Sequence, residues 1–156
     1  VSAAIYRATG TGRDLSTIVS MARAMHAESP RFSHTNFNPG KVAALAQRLC
    51  VENPRGAVFI AHDGGGVVGM MAGSVAEHFF GFSLTAFDFA LYVRPEHRGG
   101  SVAVRLVKAF EEWARAAGAE DIALGISTGV HADRTKQLYE RLGYTVVGST
   151  HVKRLI

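Results

Sequence analysis

The feature that most limits how this chain can fold is a change of hydrophobic period across residues 82–117. "FSLTAFDFALYV", residues 82–93, has the β-branched and aromatic content of a strand. From residue 101 the apolar positions recur at helical spacing, with Val102, Leu106, Phe110, Trp113 and Ala117 on one stripe and Arg105, Lys108, Glu112 and Arg115 facing water. Only "RPEHRGGS" separates the two. A strand that feeds an amphipathic helix through so short a loop must lay that helix back on its own sheet, which points to a mixed α/β architecture.

The remaining segments fit such a sheet. "AIYRA", residues 4–8, reads as a first strand, followed by a helix that Asp14 can cap and that carries Leu15, Ile18, Val19 and Ala22 at helical spacing up to Pro30. A second helix begins at the Asn38 N-cap and Pro39, with Val42, Leu45, Ala46 and Leu49 on one stripe. "AVFIA" and "VVGMMAGSV" flank Asp63–Gly66 as a hairpin, and residues 82–93 extend the meander. After Gly118 closes the long helix, "DIALGIS" reads as a strand, Asp133 caps a short helix that Gly143 ends, and "YTVVG" and "HVKRLI" read as two closing strands. The expectation is one domain over residues 1–156, with a mostly antiparallel sheet of about seven strands and about four helices.

Composition excludes several classes. Residues of the apolar set make up 47% of the chain, enough for one well-buried core. The net charge of +4 comes from four Lys and thirteen Arg against thirteen acids, scattered without a block of like charge. That balance suits an anionic ligand, and with no helix-turn-helix, RNP or zinc pattern it gives little support to nucleic-acid binding. Cys50 stands alone, so neither a disulfide framework nor a cysteine metal site is expected, and no His has a partner at metal-ligand spacing. No apolar run approaches a membrane span and no signal pattern opens the chain, so a soluble, cytoplasmic protein without a membrane partner is expected.

The loop at 94–101 invites a chemical reading. A helix starting near Ser101 gathers unpaired N–H groups and the positive end of its dipole at one point, which makes an anion site. Gly99 and Gly100 remove Cβ atoms from the approach, Arg98 adds a charged donor, and Ser101 adds a hydroxyl. The alternative is a turn whose glycines are only structural, and the loop matches neither the P-loop nor the dinucleotide pattern.

A second motif decides between them. Val93, Arg94 and Pro95, followed by Arg98, Gly99, Gly100, Ser101, Val102 and Ala103, together with Leu138, Tyr139, Glu140, Arg141, Leu142, Gly143 and Tyr144, resemble the two signatures of the GNAT acetyltransferase superfamily. Ser101 stands where that family usually has a glycine, and the order of elements matches over most of the chain.

The resemblance implies a sheet splayed at the cofactor-binding strands and acetyl-CoA (CoA) as the cofactor. Its pyrophosphate would be held by the backbone of Arg98, Gly99, Gly100, Ser101, Val102 and Ala103. The pantetheine arm would lie along Leu91, Tyr92 and Val93, one of whose N–H groups would face the acyl oxygen. Tyr139 would be the general acid for the leaving thiolate, with Tyr144 as packing. For the base, Asp88 in an apolar strand and Glu28 or His26 at the end of the first helix are all candidates, as is a water relay. His34, Asn36, Phe37, His78, Phe79 and Phe80 would rim the acceptor pocket.

The function implied is N-acetylation of a primary amine of a small molecule, peptide or protein, by direct attack in a ternary complex. The alternative is a non-catalytic acyl-CoA-binding or sensing module on the same scaffold. The aromatic "EHFFGF" hairpin and the closing strands also offer edges at which two copies could pair as a homodimer.

Overall fold

The structure is a computed structural model, and it describes residues 2–156. Five strands form one sheet in sequence order: β1 (Ala4–Arg7), β2 (Gly56–His62), β3 (Val67–Glu77), β4 (Leu84–Val93) and β5 (Asp121–Ala123). The first four are antiparallel neighbours, and β5 runs parallel to β4. The parallel step uses α3 (Val102–Ala116) as its crossover. Helices α1 (Gly12–Glu28) and α2 (Pro39–Gln47) lie in the first connection, and α4 (Ala132–Arg141) follows β5.

Both sheet faces are covered, which is why β2 and β3 read as nearly continuous apolar runs rather than alternating ones. On one face Leu106, Val107 and Phe110 of α3 pack with Phe59, Met71, Val75 and Ala86, and Tyr139 of α4 joins them. On the other, Ile18 and Met21 of α1 and Ala46 and Leu49, from α2 and the helical turn after it, pack with Val58, Ile60, Met70 and Tyr92. Burial of side chains of this size stabilises by about 1.5–3 kcal/mol each. The stripe on α3 is shifted slightly from its expected line: Val102, Leu106 and Phe110 are buried with Val107 and Ala114, whereas Trp113 and Ala117 are only partly covered.

Two local expectations change. The cap of α1 is Thr11, whose hydroxyl accepts the Asp14 N–H, while Asp14 reaches back to accept the Thr9 N–H at 2.8 Å. The two closing strands are not formed: residues 144–156 join no sheet, so the sheet has five strands rather than about seven. Val147, Leu155 and Ile156 are almost fully exposed. Alternating apolar residues make a strand only where a backbone edge and an apolar cover are both present. Here β5 is three residues long, and the adjacent Lys153 and Arg154 interrupt the alternation in the last segment.

The site is positioned by two irregularities in β4. Ala72 faces Ala90 but Gly73 faces Asp88, so Phe89 is the extra residue of a bulge that re-aims the side chains around it. Gly73 lies behind this point, where a Cβ would come within 2.4 Å of the Phe87 carbonyl oxygen and 2.5 Å of the Phe110 ring. The second irregularity is the splay: β4 and β5 pair only from Thr85–Phe87 against Asp121–Ala123, and beyond that they separate.

Candidate active site

The opening between β4 and β5 is a cavity of about 860 Å³. One wall is Asp88–Val93 of β4, continued by His97–Gly100 and by Ala103 and Val104 of α3. Antiparallel pairing spends alternate main-chain groups on β3. Arg94 donates its N–H to the Val68 carbonyl at 2.8 Å, and Tyr92 is the next residue in that set, so the N–H groups of Leu91 and Val93 face the splay. The Val93 carbonyl confirms the direction, because it accepts from Arg98 Nε at 2.8 Å on that side.

The loop has the form an anion site needs. Gly99 has φ +84°, a left-handed conformation that L side chains rarely adopt, whereas Ser101 has φ −90° and needs no glycine. The first main-chain bond of α3 runs from the Arg105 N–H to the Ser101 carbonyl, leaving the amides of Gly99 to Val104 free to meet a ligand, whereas the Arg98 N–H already donates to the Pro95 carbonyl at 3.3 Å. Arg98 is held against Val93 and over the Tyr92 ring, 5.7 Å from its centroid. Its guanidinium also forms an ion pair with Glu28 at the end of α1. The residues therefore fit a pyrophosphate: a Cβ-free approach, outward amides and one fixed guanidinium.

At the root of the splay, Gly125 joins the two titrating groups singled out by sequence. Its N–H donates to the Asp88 carboxylate at 3.0 Å, and its carbonyl accepts from the Tyr139 hydroxyl at 3.5 Å. Burial raises the Asp88 carboxyl above the usual range, opposed in part by the Gly125 N–H. Burial, and then the Asp88 charge, raises the Tyr139 phenol further still, so it stays protonated through neutral pH. Tyr139 belongs to the core by its ring and to the cavity by its edge. Tyr144 packs 5.7 Å from that ring and donates its hydroxyl to Glu111 at 2.8 Å.

The opposite wall is the connection between α1 and α2. Ser29 donates its hydroxyl to the Thr128 carbonyl at 2.6 Å, and Arg31 donates to the Ser127 carbonyl at 3.2 Å, which ties this connection to the chain after β5. From the last turn of α1, His26 Nε2 meets the Thr35 hydroxyl of this connection at 3.1 Å, and its ring lies 5.4 Å from Phe37.

Of the residues singled out by sequence, Leu91, Tyr92, Val93, Arg98, Gly99, Gly100, Ala103, Asp88, Tyr139, Glu28, His26, Asn36 and Phe37 all line the cavity. Ser101 and Val102 do not: Ser101 is exposed, and Val102 is turned into the core, so only their main chain is available. His34, His78, Phe79 and Phe80 also lie off the cavity, the last three stacked at the exposed tip of the β3–β4 hairpin. Sequence reading missed Gly125–Thr128, the first three of which it placed in a strand; these residues run on outside the sheet and line the cavity. The glycine and small polar residues of that stretch were the available signal.

Among the described residues no three His, Cys, Asp or Glu side chains gather as a metal site requires, and no helix is long and apolar enough to cross a membrane.

Comparison with known proteins agrees with this geometry. No curated protein matches the chain. Among solved structures, the aminoglycoside acetyltransferase AAC(6')-Iy in complex with the bisubstrate analogue CoA-S-monomethyl-acetylneamine superposes with a TM-score of 0.78 at 17% identity, covering 99% of this chain and 98% of that one. An aminoglycoside acetyltransferase from an uncultured soil metagenomic sample gives 0.76 at 19% identity, with 99% and 96% covered. The ribosomal-protein-alanine N-acetyltransferase of Brucella melitensis biovar Abortus gives 0.72 at 15% identity, with 99% and 100% covered. At these identities the likeness is one of fold. The sequence model of the acetyltransferase (GNAT) family matches residues 21–144, from within α1 to Tyr144, just past the glycine that follows α4. With the match spanning both signature segments and the splayed sheet, the chain belongs to the GNAT acetyltransferase family, whose acyl donor is acetyl-CoA.

Proposed function

We propose that the chain transfers the acetyl group of acetyl-CoA to a primary amine by direct attack within a ternary complex. The observation that carries the reading is Gly125 holding Asp88 and Tyr139 at the root of a splay whose other end is the Gly99–Gly100 loop. The donor supplies an activated thioester. The amides from Gly99 to Ala103, with the Arg98 guanidinium, would hold its pyrophosphate, and the main chain of Leu91–Val93 would align its arm as an added strand edge.

The chain's own groups then account for each proton. Asp88, whose carboxyl burial raises toward neutral pH, accepts a proton from the acceptor ammonium, directly or through one water. Asp88 is favoured over Glu28 because Glu28 is engaged by Arg98. An N–H of Leu91 or Val93 supports the negative charge that develops on the acyl oxygen. Tyr139, held protonated by its surroundings, donates to the departing sulfur, and the proton that the nitrogen sheds as the amide forms restores the phenol. Binding both reactants across one cavity supplies the orientation that direct transfer needs.

The test is calorimetric titration with acetyl-CoA, CoA and NAD, followed by an amine screen that detects released thiol. Saturable binding of the two CoA species without NAD, and thiol release that depends on an amine, is the expected result. Binding without any amine-dependent release would replace catalysis with an acyl-CoA-sensing role.

A further inference from the structure

The acceptor half of the cavity carries information about the amine, on the premise that the chain is an acetyltransferase. Met25, Phe32, Phe37, Phe89 and Ile126 give it an apolar and aromatic lining. Phe89 is there because the β4 bulge makes it the extra residue, and it is half exposed toward the opening.

The charges around the lining are mostly positive. Asp88 and Glu28 are the only carboxylate side chains among the described lining residues, against Lys41, Arg98, Arg134 and Arg141. Neither carboxylate is free to hold a second cation. Glu28 is paired with Arg98, and Asp88 already accepts the Gly125 N–H at the reaction centre. The two ring walls are backed by cations that lie outside the lining itself: the Arg31 guanidinium is 4.7 Å from the Phe32 centroid and that of Arg23 is 4.7 Å from the Phe37 centroid. A substrate with several ammonium groups would have to desolvate each of them beside like charge with no carboxylate to receive it. A single amine on an apolar body meets none of that cost, and its body fills the aromatic lining.

We infer that the acceptor is a small primary monoamine on an apolar or aromatic body, with no second cationic centre, and that this site selects against polyamines. The juxtaposition behind it is an aromatic acceptor wall bordered by Lys41 and backed by Arg23 and Arg31, with its carboxylates already engaged.

The experiment compares 2-phenylethylamine, n-hexylamine and spermidine in two readouts: kcat/KM with acetyl-CoA, and calorimetric binding to the CoA-loaded protein. The two monoamines are expected to exceed spermidine by at least about 100-fold in kcat/KM and about 10-fold in affinity. Equal or better use or binding of spermidine overturns the inference. Because binding is read separately from turnover, a protein that binds CoA and phenylethylamine but releases no thiol would sink the catalytic reading while leaving the selectivity intact.

A charge reversal at the exposed Lys41 sharpens the test without threatening the fold. Lys41→Glu should narrow the preference for phenylethylamine over spermidine by about 10-fold, with acetyl-CoA affinity held within twofold. An unchanged preference in Lys41→Glu would show that the ring of charge does not select the acceptor.

Discussion

On one side of the cavity, β4, the loop through Gly100 and the first turn of α3 offer a ligand mainly amides and one guanidinium; on the other, the end of α1 and its connection to α2 offer side chains such as His26, Phe32 and Phe37. The first wall is built within one continuous stretch of chain, from Asp88 to Val104. The second exists only because Ser29 and Arg31 reach across to the carbonyls of Thr128 and Ser127. In the proposed reaction, a wall of amides would recognise what every donor of this kind has in common, its phosphates and its amide-rich arm. A wall of side chains is where one acceptor can be told from another.

Tyr139 and Asp88 stand where the two walls meet, and the largest effects are expected there. Tyr139→Phe removes the proposed proton donor and leaves the ring in the core, so kcat should fall by about 10²–10³-fold while acetyl-CoA affinity changes by less than twofold. Single-turnover thiol release together with calorimetry measures both. A parallel loss of affinity would mean that Tyr139 builds the donor wall rather than acting between the walls.

Asp88→Asn should cost about 10²-fold in kcat/KM and abolish the acidic limb of its pH profile, a limb expected above the ordinary carboxylate range. Stability should move the other way. The folded pKa of Asp88 lies above its unfolded value, so the folded state binds the proton more tightly. The wild type is therefore favoured below the unfolded pKa and loses that contribution as pH rises through the folded one. At neutral pH the Asn variant should melt at the same temperature or higher, and the wild type should gain on it as the solution is acidified. Thermal melts across that range check the sign. A neutral-pH Tm clearly lower in the variant would mean that the Gly125 contact outweighs burial.

This contrast also explains what could be read from the sequence. The donor wall was legible because its determinants are local: a switch of period from strand to helix, glycines at the turn, and a carboxylate inside an apolar strand. Even there the bulge at Phe89 was invisible, since it is set by how β3 and β4 pair and not by either strand alone. The acceptor wall was legible only in part. Asn36 and Phe37 were identified, but Phe32 and Ser127 depend on contacts about a hundred residues apart in the chain. The hairpin tip, aromatic in sequence, turned out to point away from the cavity. Residues 144–156 mislead for the same reason, because strand-like composition does not supply the neighbour a strand requires.

Two glycines distinguish support of the donor wall from its chemistry. Gly73→Ala would drive a methyl group against the Phe87 carbonyl and the Phe110 ring, directly behind the bulge. The expected loss is about 2–3 kcal/mol of stability, seen as a lower Tm and a lower urea midpoint. Gly99→Val strains a left-handed position where a Cβ has open space, so packing is spared. That strain amounts to about 1–2 kcal/mol, and acetyl-CoA should bind about 10-fold more weakly as the loop relaxes away from it. If Gly99→Val bound acetyl-CoA as tightly as the wild type, the loop would not be where the phosphates sit.

The smallest effect is expected on the acceptor wall, and it is the one that separates the walls most cleanly. Phe37→Ala removes a ring that packs with His26 and Arg23 but contributes nothing to the loop or to Gly125. The KM for an apolar amine should rise by about 3–10-fold, because the lost ring helped bind ground state and transition state alike. The KM for acetyl-CoA and kcat at saturating amine should stay within twofold. Initial rates with each substrate varied in turn measure all three. A matching rise in the acetyl-CoA KM would show that the two walls are coupled through α1, where Glu28 pairs with Arg98 across the cavity. That coupling can then be isolated with Glu28→Gln, which should raise the acetyl-CoA KM in the wild-type background and have no further effect once Phe37 is gone.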